Sequence, residues 1–173
     1  MVCCGPSLPG CGKVCLVLYL TILTLHNLMR WVVLLAGLWA LYRACRGWIG
    51  AHPWTSDDRR AGRWFALALS LQLLIGGVFY CLPESVAWLA WTNPETVARE
   101  PSLRFFVVEH AVQMFVALSL AHAGSALAQK GRNDIQRHRR SALLFSISLL
   151  ITFVAIPWPW SPYERPLVRL GWG

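Results

Sequence analysis

Residues Arg104 to Gly124 read RFFVVEHAVQMFVALSLAHAG, a run apolar enough to cross a bilayer that still carries Glu109, His110, Gln113 and His122. Ionisable groups at membrane depth are costly, so each asks for a partner or a use. At about 100° per residue, the face centred on His110 also holds Phe106, Gln113, Met114, Ala117, Ala121 and Gly124. Below the histidine this face is made of small residues, which serve either a close helix contact or a flat cofactor. His122 lies roughly 120° round the helix and about 18 Å deeper.

The rest of the chain has the same character. Of its 173 residues 56% are hydrophobic, mean hydropathy is +0.47 and ten are Trp, more apolar than a soluble domain of this length. Four spans, Leu16 to Tyr42, Trp64 to Leu82, Leu103 to Leu127 and Ser141 to Ile156, each approach the ~20 residues that cross a hydrocarbon core. The expected fold is all-α: an integral membrane four-helix bundle over residues 16–160, with an N-terminal tail of residues 1–15 and a C-terminal tail of residues 161–173. Little chain lies outside the spans, so any site is expected among or just beside the helices.

Charge gives an orientation. Five basic residues fall between the first two spans (Arg43, Arg46, Arg59, Arg60, Arg63) and five between the last two (Lys130, Arg132, Arg137, Arg139, Arg140). The positive-inside rule makes these the cytoplasmic loops and puts both termini and the 82–103 connection outside. Because the basic residues are divided between two short juxtamembrane loops, they read as topology and attraction to anionic lipid, and nucleic acid is not an expected partner. Cys3, Cys4, Cys11 and Cys15 cluster before or at the start of the first span without metal-finger spacing, while Cys45 is expected inside and Cys81 outside. The opening apolar run is too long for a signal peptide and is read as a retained first helix.

The first span carries His26, Asn27 and Arg30, and the face of His26 and Arg30 continues through Val33, Gly37, Ala40 and Ala44. It repeats the design of the third span, a histidine near the outer end with small residues below. Thr55 or Ser56 is an expected N-cap, with Asp57 and Asp58 in the first turn, so the second helix should begin near Asp57. Its span holds Gln72 and the pair Gly76 and Gly77, which admit close packing or a ring edge. Trp88 and Trp91 mark a short interfacial helix. Pro101 is expected near N1 of the third helix with Ser102 as its cap. The fourth span stops at IPWPWSP, where Trp158 and Trp160 are expected in the outer aromatic belt.

Both histidine helices run inward from the outer face, so His26 and His110 can match in depth. Two imidazoles at one level on two helices suit the axial positions of a haem iron, and bundles hold cofactors between facing helices in this way. Arg30 is then placed to pair with a haem propionate or with Glu109, otherwise a lone buried carboxylate. The competing reading makes the two histidines packing residues and Arg30 with Glu109 a structural ion pair. His122 is a helix-contact residue, a ligand to a second, inner haem with His52 or His138, both of which read as loop residues, or part of a proton relay. No Gly-rich phosphate loop, catalytic triad order or paired intramembrane carboxylates is present, which argues against a nucleotide enzyme, a hydrolase and a proton-driven carrier.

The runs LTLHNLMRWVVLLAGLWALYRA, HPWTSDDRRAGRWFALALSLQLLIG and RFFVVEHAVQMFVALSLAHAG, with RHRRSALLF and IPWP, resemble a group of small uncharacterised bacterial four-helix membrane proteins placed loosely with membrane-bound cytochromes b. The resemblance covers roughly residues 23–160. It implies a multi-pass protein of the bacterial inner membrane with one haem b near the outer face, exchanging electrons with a quinone or with other subunits of a membrane complex. His26 and His110 are then the axial ligands and His122 a third candidate, with Arg30, Gly37, Glu109, Gln113 and Ala117 around the cofactor. The chain departs from four-helix cytochromes b in having no histidine on its second and fourth spans, so a second haem is not expected. The alternative is a cofactor-free accessory subunit of a respiratory or photosynthetic assembly, and a third reading is a small quinone- or lipid-binding protein.

Overall fold

A computed structural model of the chain describes residues 11–82 and 85–163, with side chains from residue 16 onward. Cys3 and Cys4, the side chains of Cys11 and Cys15, and most of the C-terminal tail lie outside the described residues; Cys45 and Cys81 carry free thiols. The chain folds as α1 (Cys11–Ile49), α2 (Ser56–Val78), three short helices α3 (Val86–Thr92), α4 (Pro94–Arg99) and α5 (Pro101–Arg104), a π turn (Phe105–Glu109), α6 (His110–Gln129) and α7 (Asp134–Ala155). Four helical segments, 16–49, 56–78, 101–129 and 134–155, are long and apolar enough to cross a membrane, and the described residues contain no strand. This is a multi-pass membrane protein. The four segments close into a ring in which α1 packs on α2 and α7, and α6 packs on α7 and α2, so that α1 and α6 face each other across the diagonal.

The boundaries differ from the sequence expectation where caps override hydropathy. No helix breaker follows Tyr42, so α1 runs on to Ile49 and closes with Gly50 N–H on the Arg46 carbonyl (3.0 Å) and His52 N–H on the Gly47 carbonyl (3.1 Å). Thr55 caps α2 as expected, in a capping box with Asp58: the Thr55 N–H donates to Asp58 Oδ2 at 2.8 Å. Asp58 also accepts from Arg43 Nε at 2.8 Å, which ties the end of α1 to the start of α2. At the other loop Asn133 caps α7 by accepting from Gln136 N–H (2.8 Å), so α7 begins seven residues before Ser141 and takes the basic run into its first turns. His138 is therefore a helix residue, 1% exposed, and not the solvated loop residue expected; the fourth helix does carry a histidine. Ser102 lies inside α5 with Pro101 at N1, and the position before it is Glu100, which makes no side-chain cap.

The faces predicted to be small are the buried ones. Val33, Gly37, Ala40 and Ala44 of α1, and Met114, Ala117, Ala121 and Gly124 of α6, all face inward. Lipid tails are as apolar as leucine, so membrane helices associate through close packing that small residues permit. In the centre Phe65 of α2 meets Phe145 of α7 edge to face, centroids 5.7 Å apart. A Cβ on Gly37 would lie 2.8 Å from the Phe65 ring, and Cβ atoms on Gly62 and Gly124 would lie 2.9 and 2.7 Å from that of Phe145. Glycines on three helices thus accept the two rings. Outside this core, Leu35, Leu74, Phe115, Leu150 and Val154 point outward and are exposed, as suits a lipid-facing surface. Trp160 is exposed, but Trp158 is not a belt residue: it is 8% exposed, donates its indole N–H to the Phe153 carbonyl (2.9 Å) and packs with Leu34 and Ile156, because the turn after Ile156 folds back on the bundle.

Gly124→Ala forces a methyl against a ring that is itself wedged, and should cost about 1–3 kcal/mol. Gly77, which has open space where its Cβ would be, is the control. Thermal unfolding in detergent should show a lowered midpoint for Gly124→Ala and none for Gly77→Ala.

Candidate functional site

A group of polar side chains inside the bundle lies toward the end where α1 begins and α2 ends. A cavity of about 310 Å³ there is bounded by His26, Asn27 and Arg30 of α1, Gln72, Gly76 and Gly77 of α2, and His110 and Met114 of α6. Its volume is at the low end of the range of small-molecule sites. The two histidines meet across it: their ring centroids are 6.3 Å apart and their planes inclined at 66°.

Each imidazole is oriented by a third helix. His110 Nδ1 lies 2.8 Å from the carbonyl of Ala155, the last residue of α7, so it is the protonated nitrogen and Nε2 is left as an acceptor. For His26 the orienting group is Gln72, 6% exposed, whose amide nitrogen donates to the His26 carbonyl (3.0 Å) and to His26 Nε2 (3.2 Å). With Nε2 accepting, Nδ1 of the neutral ring carries the proton, and this buried atom has no hydrogen-bond partner among the described residues. Gly76 sits under the ring, where a Cβ would approach His26 Cε1 to 3.1 Å, and Phe79 stands edge-on to it at 5.9 Å. Sequence reading singled out Gln72 only as a polar residue in an apolar span. That polarity was the signal.

The π turn delivers His110. Between Phe105 and Glu109 the backbone takes one extra residue per turn, and the Tyr80 hydroxyl donates to the carbonyl of Val107 within it. The turn also changes which side chains meet. Arg104 and Glu109, five residues apart and on different sides of a regular α-helix, form an ion pair at 3.0 Å with side chains 53% and 39% exposed. Glu109 is therefore neither a lone buried carboxylate nor the partner of Arg30, and the expected Arg30 to Glu109 pair is not made. Arg30 itself is 7% exposed, in the cavity wall, with its guanidinium carbon 5.5 Å from the Trp31 ring centre.

The remaining candidates lie elsewhere. Gly37 and Ala117 are in helix contacts below the cavity, Gly37 against Phe65 and Leu149, and Ala117 through its carbonyl, which accepts from Ser148 Oγ at 2.7 Å. Gln113 is half-buried and outside the cavity wall. His122 is exposed and far from the pair, with Nε2 3.1 Å from Ser70 Oγ. Because that hydroxyl already donates to the Ala66 carbonyl (2.9 Å), His122 donates and Ser70 accepts. It joins α6 to α2. Among the described residues no cluster of three or more His, Cys, Asp and Glu side chains could hold a metal ion.

No family model, no curated protein and no solved structure matches this chain. Its site stands on its own geometry.

Gln72→Leu removes both hydrogen bonds to His26 and should cost about 1–3 kcal/mol. Ser70→Ala, which removes only the partner of an exposed histidine, should stay within about 0.5 kcal/mol. Reversible unfolding in mixed micelles measures both.

Proposed function

We propose that this chain binds one b-type haem between His26 and His110 and acts in electron transfer, as a partner or subunit of a larger membrane complex. One observation carries the reading: two imidazoles from diagonal helices, 6.3 Å apart at the wall of one intramembrane cavity. His26 and His110 would each give one ring nitrogen to the iron of such a group. The chemistry of the donor set agrees. His110 offers Nε2 while its Nδ1–H is held by a backbone carbonyl, the usual support of a ligating imidazole. His26 would offer a nitrogen lone pair only by giving up its Nε2 bond with Gln72, and Gln72 then keeps its bond to the His26 carbonyl. The glycines at 76 and 77 keep one wall flat.

A b-type haem supplies one-electron transfer when bound. The chain's own residues hold the His26 backbone through Gln72 and the His110 ring through Ala155, keep their surroundings apolar through Leu73, Phe79 and Met114, and offer Arg30 as a cationic neighbour for the cofactor's carboxylates. The ten basic residues at the opposite end make that end cytoplasmic by the positive-inside rule, so in a bacterial inner membrane the cavity belongs to the outer leaflet. A quinone or a periplasmic-side subunit would then reach it.

The test is the dithionite-reduced minus oxidised absorbance spectrum of detergent-purified protein. Wild type and His122→Ala should show a b-type α band and a Soret band, and His110→Ala should lose both while remaining in the membrane. Equal loss from His110→Ala and His122→Ala contradicts the assignment. A colourless wild type that co-purifies with membrane partners makes the chain a cofactor-free accessory subunit.

A further inference from the structure

The opposite end of the bundle holds a second constellation. His138, in the second turn of α7, is 1% exposed, and neither ring nitrogen has a hydrogen-bond partner among the described residues. Burying an imidazole with both nitrogens unpaired is costly, and a group in that condition calls for a missing partner. The ring is held by Trp54, centroids 4.7 Å apart, and lies against α1 where residue 47 is glycine, since a Cβ there would fall inside the imidazole. His138 is thus fixed in place, facing the last turn of α1.

Beside it is a pocket of about 180 Å³ bounded by Arg43, Arg46, Gly47, His52, Thr55 and Asp58, with His138 closing one side. The carboxylate in this wall is already satisfied: Asp58 accepts from Arg43 Nε (2.8 Å), from the Thr55 N–H (2.8 Å) and from the Thr55 hydroxyl (2.6 Å). Arg43 is spent in the same network, with its second nitrogen on Thr55 Oγ1 at 3.0 Å. Arg46 is exposed and forms no ion pair among the described residues, so it carries the pocket's uncompensated charge. His52 and His138 add imidazole donors on either side. The surrounding surface has the same sign, for the two loops at this end carry ten basic residues against three carboxylates, Asp57, Asp58 and Asp134.

We propose that this pocket binds a phosphate group, with Arg46 supplying the charge and His138 and His52 the imidazole N–H donors. At a cytoplasmic membrane surface such a group is carried by an anionic phospholipid or by free phosphate; basic pockets between helix ends on that side hold anionic headgroups. The site does not depend on the haem reading, because it lies at the other end of the bundle and shares no residue with the histidine cavity.

The experiment is thermal unfolding of the detergent-purified full chain, titrated separately with phosphatidylglycerol, phosphatidylcholine and inorganic phosphate. Phosphatidylglycerol should raise the midpoint saturably and phosphatidylcholine should not. Arg46→Gln should raise the half-saturating concentration at least tenfold, and Arg59→Gln, an exposed arginine outside the pocket, should leave it within twofold. Gly47→Ala, which displaces His138, should weaken binding as Arg46→Gln does; if it fails to fold, His52→Gln replaces it. An Arg46-dependent response to inorganic phosphate without one to lipid supports the pocket and names free phosphate as its source. Equal effects of the two lipids, or equal losses from Arg46→Gln and Arg59→Gln, overturn the proposal.

Discussion

The edge-to-face contact of Phe65 with Phe145 governs the rest of the bundle. Two aromatic rings do not fit between four ordinary helices at close spacing, and they fit here because Gly37, Gly62 and Gly124 take away the side chains that would collide with them. In a bilayer the gain comes from contact itself, since leaving lipid offers an apolar ring nothing. The result is a filled core, with Leu69, Ala121 and Ala142 buried around the rings. At the other end stand Gly76, Gly77 and the two histidines, around the larger of the two cavities described.

Three polar side chains inside the bundle are met by a helix other than their own. His26 on α1 is met by Gln72 of α2, His110 on α6 by the last carbonyl of α7, and Ser148 on α7 by a carbonyl of α6. Such bonds fix helix register as well as ring orientation, since in lipid the unpaired alternative is costly. At the charged end the Arg43, Thr55 and Asp58 network does the same for α1 and α2. Among the buried groups without a hydrogen-bond partner in the described residues, Nδ1 of His26 and both nitrogens of His138 belong to walls of the two cavities, while Gln113 Oε1, Ser125 Oγ and Ser141 Oγ lie outside both.

Much of this was legible in the sequence. The four spans, the inward faces of α1 and α6 and the Thr55 cap follow from hydropathy, 3.6-residue periodicity and capping chemistry. The pairing of His26 with His110 followed from matching their depths. What was not legible depends on departures from regular helix or on contacts distant in sequence. The π turn brings Arg104 onto Glu109, and a regular period gives no sign of it. The burial of His138 depends on a glycine at position 47 in another helix and on Asn133 starting α7 early, so a run reading RHRR looked like solvated loop. The small residues below the histidines admitted two readings, helix contact or cofactor space. Only the positions of Phe65, Phe145 and Leu149 decide for contact at Gly37 and Gly124.

The central claim is that His26 and His110 together hold one haem iron. Electron paramagnetic resonance of the oxidised, detergent-purified protein tests it most directly, because the signal reports the axial ligands themselves. The account predicts a low-spin ferric signal of two-imidazole type at about one iron per chain, lost when either His26 or His110 is replaced by alanine. A high-spin signal in the wild type, or a well-folded chain without iron, would contradict it.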